Sequence, residues 1–220
     1  MPTSGPRQQQ VLDRIRGHGI VAVIRAGSAP DAQRCAAALV AGGVRGIEIT
    51  YTTPDAATAV AGLRSEFGSE IVLGAGTLTT VAQVEEATAA GAEFLVSPGT
   101  RPALAAAMTD TGLTTLLGVL TPSEVMLAQE CGADAIKIFP AALGGAAYLA
   151  ALRGPFPGLC AIPTGGVDPD NLASWFRAGA WAVGVGGELC PRALLDAGDW
   201  TEITRRAQLH LAALERVRNR

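Results

Sequence analysis

The residue in this 220-residue sequence that most clearly points to chemistry is its single lysine. Of the 17 basic residues, 16 are arginine and one is Lys137, which lies within the apolar run AIKIFP at residues 135–140. An arginine guanidinium stays protonated, whereas burial can lower the pKa of a lysine amine until it attacks a carbonyl. Lys137 is therefore a candidate nucleophile. The alternative is a lysine that reaches solvent from a strand end or pairs with a carboxylate.

Glu48 is the carboxylate best placed to act with Lys137. Each of the two charged residues stands between two isoleucines, at residues 47–49 and 136–138. On a strand, each charge then points away from its apolar neighbours. A lysine and a carboxylate that meet in a dry site can serve as nucleophile and general acid/base, the minimum for imine chemistry. A buried structural ion pair is the alternative.

Both residues fall within a repeating pattern that predicts the elements positioning them. Short apolar, β-branched runs alternate with alanine-rich segments at intervals of about 20 to 25 residues, which is typical of βα units around a parallel sheet. Strands are predicted at residues 19–25, 45–50, 71–76, 93–98, 114–119, 134–139, 159–164 and 182–187. A leading helix is predicted at 7–17 and a trailing helix at 199–216. Eight such units predict one domain over residues 1–220, an α/β fold of the (β/α)8 TIM barrel type with a short N-terminal helix.

In such a barrel the chemistry lies at the carboxyl ends of the strands. Strands two and six are both even-numbered, so Glu48 and Lys137 can share one layer of interior side chains. The glycines at 165–166 and 184–187 follow strands seven and eight, where backbone N–H groups commonly hold a phosphate. The same glycines can also serve only to turn the chain tightly. The polar strand-end residues are Arg25, Glu48, Thr50, Thr77, Ser97, Lys137 and Thr164.

The composition excludes several other classes of protein. Hydrophobic residues make up 49% of the chain and charged residues 17%, far from a disordered composition. No apolar run approaches the roughly 18 to 20 residues of a membrane span, and the first ten residues lack a secretory h-region, so a cytoplasmic protein is predicted. The net charge of −3 argues against nucleic acid as a partner. The four cysteines form no C-x-x-C pair, and His18 and His210 lie away from the strand ends, so no metal site is predicted.

The motifs AGGVRGIEIT, GAGT, SPG, KIFPA and PTGGV, in this order, resemble the class I aldolases that act on 2-keto-3-deoxy-6-phosphogluconate (KDPG) and on 4-hydroxy-2-oxoglutarate. The resemblance runs from GIVAVIR to LCPRALLDAGDW, nearly the whole chain. It implies that Lys137 forms a Schiff base with pyruvate and that Glu48 shuttles protons through a water. It also implies a homotrimer that needs no metal or other cofactor.

The resemblance assigns further roles position by position. Thr77 and Pro98 match residues around the pyruvyl group, and Phe139 matches an aromatic ring that packs beside the imine. A last group matches the residues at the hydroxyl and phosphate end of the substrate: Thr164, Gly165 and Gly166.

Two positions depart from the family pattern. Thr52 stands where many members have an arginine, so Arg25 becomes the expected partner of the pyruvate carboxylate; a salt bridge at the barrel rim is its alternative. After strand eight, Gly187 is followed by Glu188 where phosphate-binding members usually have a small hydroxyl residue. A carboxylate there repels a phosphate unless it turns away.

The sequence thus predicts an aldehyde-lyase acting on a small 2-keto acid, with KDPG as the first substrate and pyruvate and glyceraldehyde 3-phosphate as products. Glu188 favours the alternatives, 4-hydroxy-2-oxoglutarate or the galactonate epimer of KDPG. A non-catalytic barrel that binds a phosphorylated metabolite is a further alternative, although such a protein has no use for a desolvated lysine.

Overall fold

The computed structural model describes residues 5–219 and contains the eight predicted strands. Seven are shorter than the apolar runs that predicted them, because one or more residues at the ends of those runs leave the sheet and enter the loops. The strands are β1 Ile20–Ile24, β2 Gly46–Thr50, β3 Val72–Gly76, β4 Phe94–Val96, β5 Thr114–Val119, β6 Ala135–Ile138, β7 Ala161–Pro163 and β8 Val183–Val185.

Parallel pairing of these strands forms a barrel. Each strand from β1 to β6 pairs with the next in sequence, and β8 pairs with β1. The closure between β7 and β8 is made by a bridge between Thr164 and Gly184 and by the Trp181 N–H, which donates to the Ala161 carbonyl at 2.9 Å. The predicted (β/α)8 architecture is confirmed.

The helices surround this barrel. Their starts are set by side-chain caps at several positions: the hydroxyls of Ser28, Thr80 and Thr121 each accept a hydrogen bond from a backbone N–H in the first helical turn. The helices are α1 Pro6–His18, α2 Ala29–Ala41, α3 Ala56–Phe67, α4 Val81–Ala89, α5 Pro102–Asp110, α6 Pro122–Glu130, α7 Gly145–Leu152, α8 Leu172–Arg177, α9 Arg192–Ala197 and α10 Trp200–Arg218. None of the described helices is long and apolar enough to cross a membrane.

Helix α1 closes the amino-terminal mouth of the barrel. Its Val11, Leu12 and Ile15 are buried in one cluster with interior side chains of the strands, including Phe94 and Leu116. A second and larger core lies between the strands and the outer helices. Because the amino-terminal half of the barrel interior is filled with apolar side chains, a polar site has room only at the carboxyl ends of the strands.

An ion-pair network fixes the same closed end. The Glu93 carboxylate accepts hydrogen bonds from Arg14 of α1 at 2.6 Å, from Arg64 of α3 at 2.7 Å and from the Leu73 N–H at 3.2 Å. Burial alone would raise the pKa of Glu93, but the hydrogen bonds from Arg64, Leu73 and Arg14 outweigh burial and hold it below its usual value. Glu93 therefore ties α1 and α3 to the strands most strongly while it is ionised.

Replacing Glu93 with Gln should lower the free energy of unfolding at pH 7 by about 1–3 kcal/mol, because two partly buried arginine side chains lose their charged partner. The folded-state pKa lies below the ordinary 4.5, so the stabilisation is present above that pH and is lost as pH falls through the folded value. The difference between wild type and variant should therefore shrink in strong acid. Urea unfolding at both pH values measures it, with Glu70→Gln, which removes the half-exposed partner of Arg45, as the control. Equal stability of the Glu93 variant and wild type at pH 7 would contradict the prediction.

Candidate active site

Lys137 and Glu48 meet inside the carboxyl end of the barrel, as predicted. Lys137 Nζ lies 3.4 Å from Glu48 Oε1, and the two residues are only 5% and 3% exposed. Their neighbours face the opposite way and pack in the outer core: Ile47, Ile49, Ile136 and Ile138. Strands β2 and β6 stand opposite each other in the eight-stranded ring, so the pair spans the barrel interior.

Glycines on the adjacent strands make room for Glu48 and for the backbone of Pro98. A Cβ on Gly76 of β3 would lie 1.8 Å from Glu48 Oε1. On β5, Gly118 is paired in register with Lys137, and a Cβ there would lie 2.2 Å from the backbone of Pro98. Any larger residue at either position would displace Glu48 or push Pro98 out of the barrel mouth. The positions of these two glycines are therefore explained by the space that the site residues need.

Thr77 follows Gly76 directly and has a strained backbone. Its φ of 56° lies in the left-handed region, which a β-branched residue rarely adopts. Such a conformation costs about 1–3 kcal/mol and is typical of functional sites, where the surrounding structure holds it in place. The strained residue thus directly follows Gly76, the glycine that makes room for Glu48.

Phe139 connects the charged pair to an open cavity. Its ring centroid lies 5.5 Å from Lys137 Nζ, a cation–π distance, and the side chain is 39% exposed. Lys137 and Glu48 do not line the cavity themselves; they lie buried next to its Phe139 wall. The cavity has a volume of about 460 Å³ and is lined by Val23, Arg25, Phe139, Thr164, Gly165, Gly166, Val167, Gly186, Gly187, Glu188, Cys190 and Arg192.

The glycine turn after β7 forms one wall of this cavity. Gly165 and Gly166 have φ values of 94° and 75°, which favour glycine, and a Cβ on Gly166 would lie 2.6 Å from Ala142. Thr164 is buried with its hydroxyl against Gly184, where a Cβ would lie 2.2 Å away. Tight turning alone accounts for these glycines, but their N–H groups also stand at the cavity wall.

Arg25 is exposed at the cavity and has no ion pair or hydrogen bond with any residue in the range 5–219. The rim salt bridge considered as the alternative is therefore not observed in the described part of the chain. Thr52, at the position of the missing arginine, shares a hydrogen bond of 2.9 Å with the Thr50 hydroxyl. Arg25 thus remains available for an anion bound in the cavity.

Glu188 is exposed at the cavity edge, and its backbone carbonyl accepts a hydrogen bond from Arg206 of α10 at 2.9 Å. His210, also on α10, is buried and shares a hydrogen bond of 2.8 Å with the Arg206 carbonyl through Nδ1. Its pKa is lowered, mainly by burial. His210 lies outside the cavity wall, away from the strand ends, and is a buried packing residue. Among the described residues, no group of three or more His, Cys, Asp or Glu side chains could hold a metal ion.

Comparison with known proteins decides the family. The family model described as KDPG and KHG aldolase matches residues 11–206. This chain belongs to that family. It is therefore an aldolase, a carbon–carbon lyase. Membership of this family excludes the alternative of a non-catalytic barrel that only binds a phosphorylated metabolite.

Individual relatives cover most of the chain. The 2-dehydro-3-deoxy-phosphogluconate aldolase of Pseudomonas aeruginosa is 40% identical over 198 residues, covering 90% of this chain and 88% of the relative. The KHG/KDPG aldolase of Escherichia coli K12 is 39% identical over 174 residues, covering 79% and 81%. A solved structure of the Legionella pneumophila KDPG aldolase, with pyruvate captured at low pH as a covalent carbinolamine intermediate, has a TM-score of 0.82 at 32% identity and covers 91% of this chain and 96% of that one.

Besides apolar wall residues such as Val23 and Val167, sequence reasoning missed a thiol and a guanidinium that line the cavity, those of Cys190 and Arg192. Both follow the last strand, beyond Gly186 and Gly187. The sequence pattern did not predict α9, the helix that begins at Arg192. Cys190 is buried with its Sγ 3.2 Å from that of Cys35, and both thiols are free. The available signal for Arg192 was its place shortly after a strand end.

Replacing Gly76 with Ala should reduce aldolase turnover at least tenfold without unfolding the barrel, because the new Cβ would overlap Glu48 Oε1 and force that carboxylate aside. Steady-state turnover together with thermal melting measures the two effects separately. Gly17→Ala is the matched control, since a Cβ there meets nothing within 4 Å. Full activity in the Gly76 variant would show that the position of Glu48 is unimportant.

Proposed function

We propose that this chain cleaves KDPG reversibly to pyruvate and glyceraldehyde 3-phosphate through an imine on Lys137. The observation that carries the proposal is that the one lysine of the sequence is buried in the barrel interior, 3.4 Å from a buried carboxylate. The family supports the reaction class, and the carbinolamine named for the Legionella relative supports an amine that adds to pyruvate.

The reaction begins when the neutral Lys137 amine attacks the C2 carbonyl of the substrate. The resulting carbinolamine loses water and becomes a protonated imine. Removal of the proton from the C4 hydroxyl then breaks the C3–C4 bond, and its electron pair moves into the imine to give an enamine. The aldehyde departs, C3 is protonated, and water hydrolyses the imine to release pyruvate and the free amine.

Glu48 moves the protons in this sequence. Its carboxylate accepts the proton that Lys137 must lose before attack, and a water between Glu48 and the substrate extends its reach to the C4 hydroxyl and to C3. Because the Glu48 carboxylate is buried next to the Lys137 amine, few solvent molecules compete for the protons that it transfers. The same carboxylate is a hydrogen-bond partner that keeps Lys137 in place before substrate binds.

The other strand-end residues position the substrate. Arg25 pairs with the pyruvyl carboxylate, Thr77 and Pro98 border the pyruvyl group, and Phe139 packs beside the imine. The cavity volume falls within the range of about 300–1,000 Å³ that is usual for small-molecule sites. The residues proposed for the hydroxyl and phosphate end are Thr164, Gly165, Gly166, Gly187 and Glu188.

A second candidate substrate is 4-hydroxy-2-oxoglutarate, cleaved to pyruvate and glyoxylate. The exposed carboxylate of Glu188 at the cavity edge favours it, because the single charge of its distal carboxylate is repelled less there than the charge of about −1.5 to −2 on a phosphate ester. The galactonate epimer of KDPG requires the same steps and differs only at a hydroxyl-bearing carbon. Parallel assays of the three substrates distinguish these candidates.

We also propose a cytoplasmic homotrimer. Support for self-association comes from exposed apolar side chains that a monomer would leave in water, among them Val81, Met126 and Leu143. Leu143 follows the strand that carries Lys137, so an interface there would lie near the site.

Lys137→Arg should abolish both turnover and imine trapping while the fold stays intact, because a guanidinium keeps the charge but cannot form an imine. Borohydride reduction with pyruvate, followed by peptide mass spectrometry, should add one pyruvyl group to the Lys137 peptide of wild type only. In the control Arg205→Lys, which adds an exposed lysine on α10, the label should stay on the Lys137 peptide. Trapping that persists in Lys137→Arg would overturn the assignment.

Glu48→Gln should lower kcat about 100-fold or more, because shape and hydrogen bonding remain while the acid/base is lost. Pyruvate should still be trapped on Lys137. Exchange of the pyruvate methyl protons for deuterium, followed by NMR, reports the proton transfer directly and should slow in parallel with kcat. Turnover close to that of wild type would mean that Glu48 is only the structural partner of the lysine.

A further inference from the structure

Arg192 brings a second guanidinium to the cavity. It is the first residue of α9, and its side chain is 67% exposed. Its Nε donates to Asp196 Oδ1 at 2.7 Å, an i to i+4 contact within the helix. In the described part of the chain, its two terminal nitrogens donate to no oxygen. The Asp196 contact therefore orients the guanidinium and leaves its outer edge for an anion.

The loop after β1 leaves this edge uncovered. Arg192 Nη2 lies 3.5 Å from the point that a Cβ on Gly27 would occupy. Gly27 stands two residues beyond Arg25, so the Arg192 side chain reaches from α9 to the mouth of β1. Because residue 27 has no side chain, none from that position lies between Arg192 Nη2 and the backbone of the loop, and the Arg192 side chain stays exposed at the cavity.

The charges of the cavity lining show why a second cation matters. Arg25 is assigned to the pyruvyl carboxylate, which leaves Glu188 as the charge nearest the distal glycines. A phosphate ester carries a charge of about −1.5 to −2 at neutral pH. Without Arg192, the distal end would offer a carboxylate and neutral N–H groups to that dianion. With Arg192, the charged side chains lining the cavity are two guanidiniums and one carboxylate.

We propose that Arg192 is a specificity-determining residue, which selects a substrate with a terminal phosphate ester by donating from its terminal nitrogens to the phosphate oxygens. This inference rests on the proposed function and names the residue that makes a phosphorylated substrate acceptable beside Glu188. The guanidinium acts on the distal end only and does not touch the atoms that react at Lys137. It therefore contributes to binding equally in the ground state and the transition state.

The test compares KDPG with its unphosphorylated analogue, 2-keto-3-deoxygluconate. Arg192→Gln should raise KM for KDPG about tenfold, while kcat stays within about twofold, as expected when a uniform binding interaction is lost. The kcat/KM for the unphosphorylated analogue and the trapping of pyruvate on Lys137 should not change. Arg192→Lys, which keeps the charge, should recover most of the loss. Arg205→Gln removes an exposed arginine whose Nε contacts a carboxylate in the same helix, outside the cavity, and is the matched control.

An unchanged KM for KDPG in Arg192→Gln would overturn the inference and leave the proposed function standing. An equal loss for both substrates would also overturn it, since Arg192 would then shape the cavity instead of recognising phosphate. If the variant loses only 4-hydroxy-2-oxoglutarate cleavage, the distal partner is a carboxylate and the phosphate assignment is wrong. A wild-type protein that cleaves no phosphorylated 2-keto acid would overturn both the inference and KDPG as the substrate.

Discussion

The buried contact between Lys137 and Glu48 is the constraint on which the rest of the barrel depends. Two charges taken out of water are tolerated only where their partners are well placed, and removal of one partner commonly costs about 3–5 kcal/mol. The barrel meets this demand by setting the pair on opposite strands, β2 and β6, with only glycine at the nearest positions of β3 and β5. The pair can form only because a small residue, Gly76, leaves space for the Glu48 carboxylate.

The two ends of the barrel have different roles: the closed end stabilises the fold, and the open end holds the candidate active site. At the closed end, α1 fills the mouth with apolar side chains, and Glu93 joins two helices to the strands. At the open end, Thr77 holds a strained backbone and Lys137 and Glu48 are buried polar groups. Strain and buried charge are destabilising on their own. The well-packed closed end offsets them, which is why the site can remain rigid before substrate binds.

Much of this arrangement could be predicted from the sequence, for reasons that differ between residues. The isoleucines beside Glu48 and Lys137 reveal the inward direction of both charges, because side chains alternate along a strand. Eight apolar runs reveal the barrel. The 3.4 Å contact could not be predicted, since it depends on strand register and on the glycines of two other strands. Arg192 was missed because its role depends on a loop near the other end of the sequence, at Gly27, and no local pattern marks that proximity.

The position of the pair also explains the direction in which a substrate must extend. Between β2 and β6, one arc of the barrel passes through β3, β4 and β5, where Glu48 and the Pro98 backbone already occupy the space beside Gly76 and Gly118. The other arc passes through β7, β8 and β1, and the cavity lies there. In the proposed reaction, a keto acid joined to Lys137 extends along this second arc toward β7 and β8, and Arg25, the proposed partner of its carboxylate, lines the cavity at the end of β1. In this proposed arrangement the distal group reaches the part of the cavity lined by the glycines after β7 and β8 and by Arg192 of α9, so that chain length and terminal charge are recognised together.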